Sequence, residues 1–462
     1  MRTLLLLLIL GISLPLSAQV YQVDTLLYQG VFSKRINLVI FGDGYRSEDM
    51  DKYKADANKF MNAFFEEKPF KQYKKYFNVF IIQTPSTEAG VDHPGTATDV
   101  SEPAHPVAAV NTFFDATFDF GNIHRLLVAT SGSKVYSILA QNFPFYDQVI
   151  ILVNSPYYGG SGGGFPVAST DASATEVALH ELGHSFAGLA DEYWFTGGES
   201  PNRTAESNPS LVKWKNWVGS DGVGVYQYCC GGDSPNWYRP HENCKMRVLG
   251  PDFCPVCTQA LVEKIHNLST PLENYSPTDL VVPATSNPLP FSVTLVQPEP
   301  NTLKVQWVLN DSAISTQTDS ITLLQSQLQN GSNTLKCFVE DTTALLRVDG
   351  HATLHVSTAK WLITKSISGI EQIQGSAGSF QFKMYPNPGS EYIQIQCTSD
   401  WPEPAMVRLL DAQGKQLNTW EMPVLGANET FQMDVTPYPK GVYQLEVRMG
   451  FWAQSRTLIK GE

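Results

Sequence analysis

Residues Ile36-Asn37-Leu38-Val39-Ile40-Phe41 form a nearly unbroken apolar run that stops at Gly42-Asp43-Gly44. Such a run, too short for a helix and closed by a glycine turn, predicts a strand buried on both faces. Apolar positions at helical spacing predict a helix over 48–66. Tyr76–Gln83 and Asp147–Val153 predict two more buried strands, the second leading into the glycine-rich loop 157–164. Ser173 and Glu176 have capping-box spacing, so a further helix is expected to start there and run to about Ala187, with Gly188 turning the backbone away. Strands mixed with helices through 19–270 predict an α+β, α/β/α-like domain. After Leu268 the pattern changes. Ser269–Pro290 is rich in Pro, Ser, Thr and Asn, and the alternating segments Phe291–Val296, Leu303–Val308 and Thr334–Val339 predict an all-β sandwich over 271–367. Gly, Ser and Gln fill 366–379, and strands resume at Gln381, predicting a second all-β sandwich over 380–462.

The amino terminus bears on where the chain resides. Arg2 precedes the apolar stretch Leu4 to Leu16, and Leu16-Ser17-Ala18 offers small residues before Gln19. This is the pattern of a signal peptide over 1–18, and its apolar run is shorter than the ~20 residues of a membrane-spanning helix. Export permits disulfides. With 42% hydrophobic and 17% charged residues, the 462-residue chain has apolar material for several cores. Its 45 acidic against 32 basic side chains give a formal charge of −13, with no basic stripe for phosphates, so nucleic acid is not an expected partner.

The candidate chemistry concentrates between Ser173 and Tyr193. His180 and His184 stand four apart, one helical turn apart on the same face, where two imidazoles can bind one tetrahedral zinc. Glu181 beside them has the position of a general base for the zinc-bound water. The turn at Gly188 can return Asp191 as a third ligand, leaving the fourth position to water. Glu192 is the rival third ligand, and the shorter side chain of Asp191 lies closer to the expected spacing. A closed structural zinc site is disfavoured, because such sites favour thiolates and no cysteine lies nearby in sequence. The mechanism expected of this set has Glu181 take a proton from the attacking water and return it to the leaving amine. Tyr193, Tyr228 or Tyr238 would offer a hydroxyl to the oxyanion. The glycine-rich loop lacks the Lys-Ser/Thr of a phosphate loop, so no nucleotide is expected. It reads either as a cleft wall presenting backbone hydrogen bonds to an extended peptide or as a surface turn.

Cys229, Cys230, Cys244, Cys254 and Cys257 cluster in sequence, while Cys337 and Cys397 stand alone. In an exported chain the first five predict one or two disulfides bracing the wall below the site, with a second metal cluster or a redox pair as alternatives. His93, His105, His241 and His266 are expected to be ordinary surface or hydrogen-bonded histidines, His241 being the one within reach of the cleft.

Several of these segments share a pattern. The run His180–Tyr193, the turn Gly42-Asp43-Gly44-Tyr45, the segment Ser86–Asp92, the glycine-rich loop, and Cys244-Lys245-Met246-Arg247 followed by Phe253-Cys254-Pro255-Val256-Cys257 together resemble the IgA-peptidase family of metzincin-like zinc metallopeptidases. The resemblance implies a zincin catalytic domain with His180, His184 and Asp191 as ligands of one Zn2+ ion, Glu181 as catalytic base, and a protein substrate. It makes Met246 the candidate methionine turn beneath the metal, against the plainer reading of a core methionine. Gly188 and Asp191 each fall one position later than in the common metzincin pattern. Met384-Tyr385-Pro386-Asn387-Pro388, Val407–Gly414, Gly441-Val442-Tyr443 and Arg456–Lys460 resemble the type IX secretion sorting domain of certain Gram-negative bacteria. That resemblance implies handling by the outer-membrane secretion machinery and then release or surface attachment; an adhesive or carbohydrate-binding sandwich is the plainer reading. The middle sandwich carries no visible site and reads as a spacer.

These readings converge on a secreted or surface zinc endopeptidase acting on proteins, immunoglobulin or mucosal glycoproteins among them if the family's name is a guide. Two other classes compete. One is a non-catalytic surface binding protein with a vestigial zinc site, against which intact His180, Glu181 and His184 argue. The other is a zinc hydrolase of non-peptide amides, which would use the same metal site.

Overall fold

The computed structural model describes residues 20–365, 382–397, 404–411, 415–422, 429–449 and 452–461. The segment 1–18, expected to be a signal peptide, and the stretch 366–379 lie outside the described residues. The chain forms two compact units. The first runs to Glu273 and includes Leu295–Lys304 and Val339–Ser357; the second comprises Asn274–Thr294, Val305–Phe338 and the residues from Thr358 onward.

The first unit opens with β1 (Val23–Leu27), β2 (Ile36–Asp43), α1 (Met50–Phe64) and β3 (Phe77–Ile82). A short pair, β4 (Ala116–Thr117) and β5 (Val128–Ala129), precedes α2 (Gly132–Asn142) and β6 (Gln148–Val153). Then come β7 (Gly160–Ser161), β8 (Val167–Ala168) and α3 (Ala174–Ala187). A second short pair, β9 (Tyr226–Gln227) and β10 (Tyr238–Arg239), leads to α4 (Pro255–Leu268). The main sheet has the order β1-β3-β2-β6-β8-β7. Its four inner strands are parallel, and the edge strands β1 and β7 are antiparallel to their neighbours.

Every residue of β2 is buried, as the unbroken apolar run requires. Alternation then divides it between two cores. Ile36, Leu38 and Ile40 pack with Phe64 of α1, Leu179 of α3 and Leu261 of α4. Val39 and Phe41 pack with Val135 and Leu139 of α2. The sheet therefore carries α1, α3 and α4 on one face and α2 on the other, a mixed α/β layer arrangement. Helix α3 starts where the sequence predicts, but not through the predicted cap. Ser173 makes no capping hydrogen bond, and Glu176 instead takes Lys245 Nζ at 2.5 Å and the Gly250 amide at 3.1 Å. A charge-assisted bond to a buried ammonium outcompetes the reciprocal cap. Gly188 ends the helix at φ 65°, left-handed backbone that a side chain would strain.

The second unit is β-rich. The strands Leu272–Ser276, Leu289–Leu295 and Ser320–Leu323 make a three-stranded sheet. Val281–Pro283, Val356–Lys365, Gly331–Asp341, Leu303–Leu309 and Ser312–Thr316 make a five-stranded one, in that order. Trp361 stacks on Trp307 at 5.7 Å and meets Phe291 of the three-stranded sheet edge-on at 5.2 Å. Further along, a three-stranded and a four-stranded sheet share one core in which Ile393, Ile395 and Met433 meet Val407, Leu445 and Val447. Among the described residues no helix is long and apolar enough to cross a membrane.

Candidate metal centre

Helix α3 presents His180 and His184 one turn apart. His180 Nδ1 lies 2.8 Å from the Lys245 carbonyl and His184 Nδ1 lies 2.7 Å from the Leu189 carbonyl. A carbonyl only accepts, so hydrogen-bond logic assigns each ring a proton on Nδ1 and turns Nε2 inward. The two Nε2 atoms are 3.3 Å apart and lie 3.0 and 3.2 Å from Oδ1 of Asp191. Three acceptors thus converge on one point, an arrangement that repels itself until a proton or a metal cation sits among them. Two imidazoles and one carboxylate, each imidazole braced by a carbonyl behind it, are the donor set of an open zinc site, and these residues fit the ion. Burial works against charge on His184, but the hydrogen bond and charge of Asp191 outweigh it and raise its pKa. Burial also opposes ionised Asp191, and hydrogen bonds from His180 and His184 more than reverse this, lowering its pKa.

The return of Asp191 depends on residues far apart in sequence. After Gly188, Asn202 clamps the turn through both amide atoms, accepting from the Ala190 N–H at 2.7 Å and donating to the Ala190 carbonyl at 2.8 Å. Tyr228 donates its hydroxyl to the Asp191 carbonyl at 2.7 Å, and the Glu192 amide donates to the Met246 carbonyl at 2.7 Å. Consecutive side chains leave this turn in opposite directions. Asp191 joins the histidines, whereas Glu192 is 0% exposed and meets Cys257 Sγ at 3.2 Å and Asn202 at 3.1 Å. Met246 is fully buried against the back of α3, its sulfur 2.6 Å from where a Cβ on Gly183 would stand. The adjoining Lys245 carbonyl is the one that orients His180.

Glu181 faces a cavity of about 250 Å³ lined also by Arg125, Tyr158, His180, Tyr193 and Arg247. Burial raises its pKa, and the charges of His180 and His184 offset part of this. Tyr193 lies parallel to the His180 ring at 6.4 Å. The other two tyrosines singled out in the sequence are elsewhere: Tyr228 spends its hydroxyl on Asp191, and Tyr238 pairs through its backbone with β9 and Thr204 and does not line the cavity. The glycine-rich loop is partly paired, since the Gly160 N–H donates to Arg125 and its carbonyl accepts from Leu127. Its next residue but one, Gly162, packs on the Glu181 carboxylate. A larger depression of about 650 Å³ is lined by His241 and Asp252 but by none of these residues, so His241 is not in the cleft.

Two sequence expectations are met only in part. Among the described residues one disulfide is present, between the neighbours Cys229 and Cys230, while Cys244, Cys254 and Cys257 are free thiols that converge on Glu192 and brace no wall as disulfides. Of the histidines expected at the surface or in hydrogen bonds, His93, His105 and His266 are buried, and His93 and His266 are hydrogen-bonded as that reading allows. His266 bonds Asp341 at 3.0 Å, and His93 and His105 gather with His124. Arg125 and Asn202 went unread in the sequence, where no spacing rule links them to the histidine motif, whereas Tyr158 belongs to the glycine-rich loop read as a candidate cleft wall.

Residues 25–224 match the model of a family described as IgA Peptidase M64, and residues 383–460 match that of the Secretion system C-terminal sorting domain. The chain therefore carries an M64 peptidase domain and a C-terminal type IX sorting domain, which directs it across the outer membrane for release or surface attachment and implies engagement with that secretion machinery. No curated protein matches the chain. Among solved structures it is similar to dimeric latent PorU from Porphyromonas gingivalis, at 12% identity over 41% of this chain and 20% of that one, with a TM-score of 0.16. It is also similar to SGBP-B of the Bacteroides ovatus mixed-linkage glucan utilization locus, in complex with a mixed-linkage heptasaccharide, at 12% identity over 41% of this chain and 46% of that one, TM-score 0.15. The fibronectin(III)-like modules of Clostridium thermocellum CbhA give 16% identity over 40% of this chain and 93% of that one, TM-score 0.16.

Proposed function

We propose that this chain is a zinc endopeptidase that cleaves proteins outside the cell through a metal-activated water, with 19–270 as its zincin catalytic domain, 271–367 as a spacer and 380–462 as the sorting domain. The observation that carries the reading is the convergence of His180 Nε2, His184 Nε2 and Asp191 Oδ1 within 3.3 Å of one another, beside the carboxylate of Glu181 in an open cavity. These three atoms would hold the zinc, which when bound supplies a Lewis acid that acidifies a water and polarises a carbonyl.

The chain's own residues do the rest. Glu181 accepts a proton from the attacking water as its oxygen bonds to the carbonyl carbon, and delivers a proton to the amine nitrogen as the C–N bond breaks. A carboxylate whose pKa burial has raised is suited to hold that proton between the two transfers. Tyr193, whose hydroxyl also bonds Asp191, lines the cavity and would offer that hydroxyl to the developing oxyanion. Arg125 and Arg247 bring positive charge to the cavity wall and favour acidic or carboxylate-bearing substrate positions. The description of the matched family as IgA peptidase supports protein substrates, immunoglobulin among them. Metal content relative to the His180→Ala/His184→Ala chain and casein hydrolysis, measured together on the parent and on Glu181→Gln, test the reading: one metal equivalent more than that chain in both, with hydrolysis in the parent alone, supports it, and no such difference in either rejects it.

A further inference from the structure

We propose that Cys244, Cys254, Cys257 and Glu192 form a second, structural zinc site behind the candidate metal centre. The four side chains are 0%, 3%, 0% and 0% exposed, and one ligand atom from each lies within 4.8 Å of all the others. Cys244 and Cys257 Sγ are 3.7 Å apart, and Glu192 Oε1 lies 3.2 Å from Cys257 Sγ and 3.8 Å from Cys254 Sγ. The second carboxylate oxygen, Oε2, is buried without a hydrogen-bond partner. A carboxylate sealed among three thiols wants a cation, and any disulfide among three cysteines would leave one thiol against it. Cys254 stands at the N-cap position of α4 and Cys257 in its first turn, and the Cys254 N–H donates to Cys244 Sγ at 3.3 Å. Three sulfurs and one oxygen with no water position are the donor set of a closed zinc site. Such an ion would tie the Asp191-Glu192 turn to the loop whose Lys245 carbonyl orients His180, so the open site would be built on the closed one.

The test uses the full chain with His180→Ala and His184→Ala, so that failure of the peptidase reading leaves it untouched. Metal analysis should find one equivalent fewer zinc in the Cys254→Ser/Cys257→Ser derivative than in this parent. Cadmium exchanged into the parent, with its cysteines intact, should develop a thiolate-to-metal charge-transfer band. A disulfide among the three cysteines in denaturing mass spectrometry, or free thiols with no band, overturns the proposal.

A different observation carries a second site. We infer that His93, Glu102, Asp119 and His124 bind a divalent transition cation, zinc by donor type. His93 Nδ1 is held by the Pro106 carbonyl at 3.1 Å, which turns Nε2 toward Glu102 at 3.2 Å and Asp119 at 3.4 Å. His124 Nδ1 lies 2.9 and 3.1 Å from the same two carboxylates. Both ring nitrogens of buried His105, whose ring is tilted 34° to that of His93 with centroids 3.6 Å apart, lack hydrogen-bond partners, and Asp119 is held at φ 59°. His124 adjoins Arg125 of the cavity wall, so this ion would fix that wall. Glu102→Gln and His93→Ala/His124→Ala should each lose one metal equivalent and melt at lower temperature than the parent. Unchanged metal content in both variants overturns the site.

Discussion

Glu181 Oε2 occupies the edge of the space in which a Cβ on Gly162 would stand. The glycine-rich loop is thus shaped around the carboxylate proposed as the base. Gly162 is not at positive φ, so alanine is compatible with its backbone and the clash falls on the Glu181 side chain. Gly162→Ala is expected to lower kcat/KM by about 10²-fold, since displacing a reacting group by ~1 Å costs that much, with little change in melting temperature. Peptide kinetics beside a thermal melt check this, and parental kinetics would make the loop a bystander.

The third ligand is separable by substitution. Asp191→Ala should weaken zinc binding at the histidine site by more than the roughly 10–100-fold that loss of an outer partner costs. Glu192→Gln should leave the affinity of that site within the outer-partner range, because its side chain points away from the histidines. Competition titration with a chromophoric chelator measures both, and equal losses would contradict the assignment.

Much of this was legible and some was not, for physical reasons. The strand at Ile36, the ends of α3 and the histidine pair follow from periodicity and glycine placement, which are local. The choice of Asp191 over Glu192 rested on spacing, and the opposite exits of the two side chains come from Asn202 and Tyr228, which no local rule connects to them. The predicted Ser173–Glu176 cap failed because Lys245, distant in sequence, offers Glu176 a stronger partner. The cysteines were read by compartment, toward disulfides, whereas three of them converge on a buried carboxylate. His93 and His105 looked ordinary because their partners arrive from separate loops.

Tyr193 is the tyrosine that lines the cavity with Glu181. Tyr193→Phe should reduce kcat by about 10–10³-fold with KM little changed, as expected for a donor felt mainly in the transition state. Tyr238→Phe should leave both constants near parental. A rise in KM alone for Tyr193→Phe would assign it to substrate binding instead.

His355 supplies a pH dependence of stability away from the metal centre. Burial, helped by the nearby His266 and His351, lowers its pKa to about 4 from the ordinary 6.5. The unfolded chain therefore takes up a proton before the folded one does. The contribution is fully present above about pH 6.5 and is lost as pH falls toward about 4. Urea melts across that window should show stability falling with acid, and His355→Gln should flatten part of the slope; an unchanged slope would remove His355 from the cause.

The most direct test of the central claim is zinc content and protein hydrolysis measured on the same samples of the parent chain and Glu181→Gln. The account predicts equal zinc in both at the histidine site and hydrolysis reduced by about 10²–10⁴-fold in the variant, the range for loss of a general base. Parental hydrolysis by Glu181→Gln, or no zinc at that site in either protein, would contradict it.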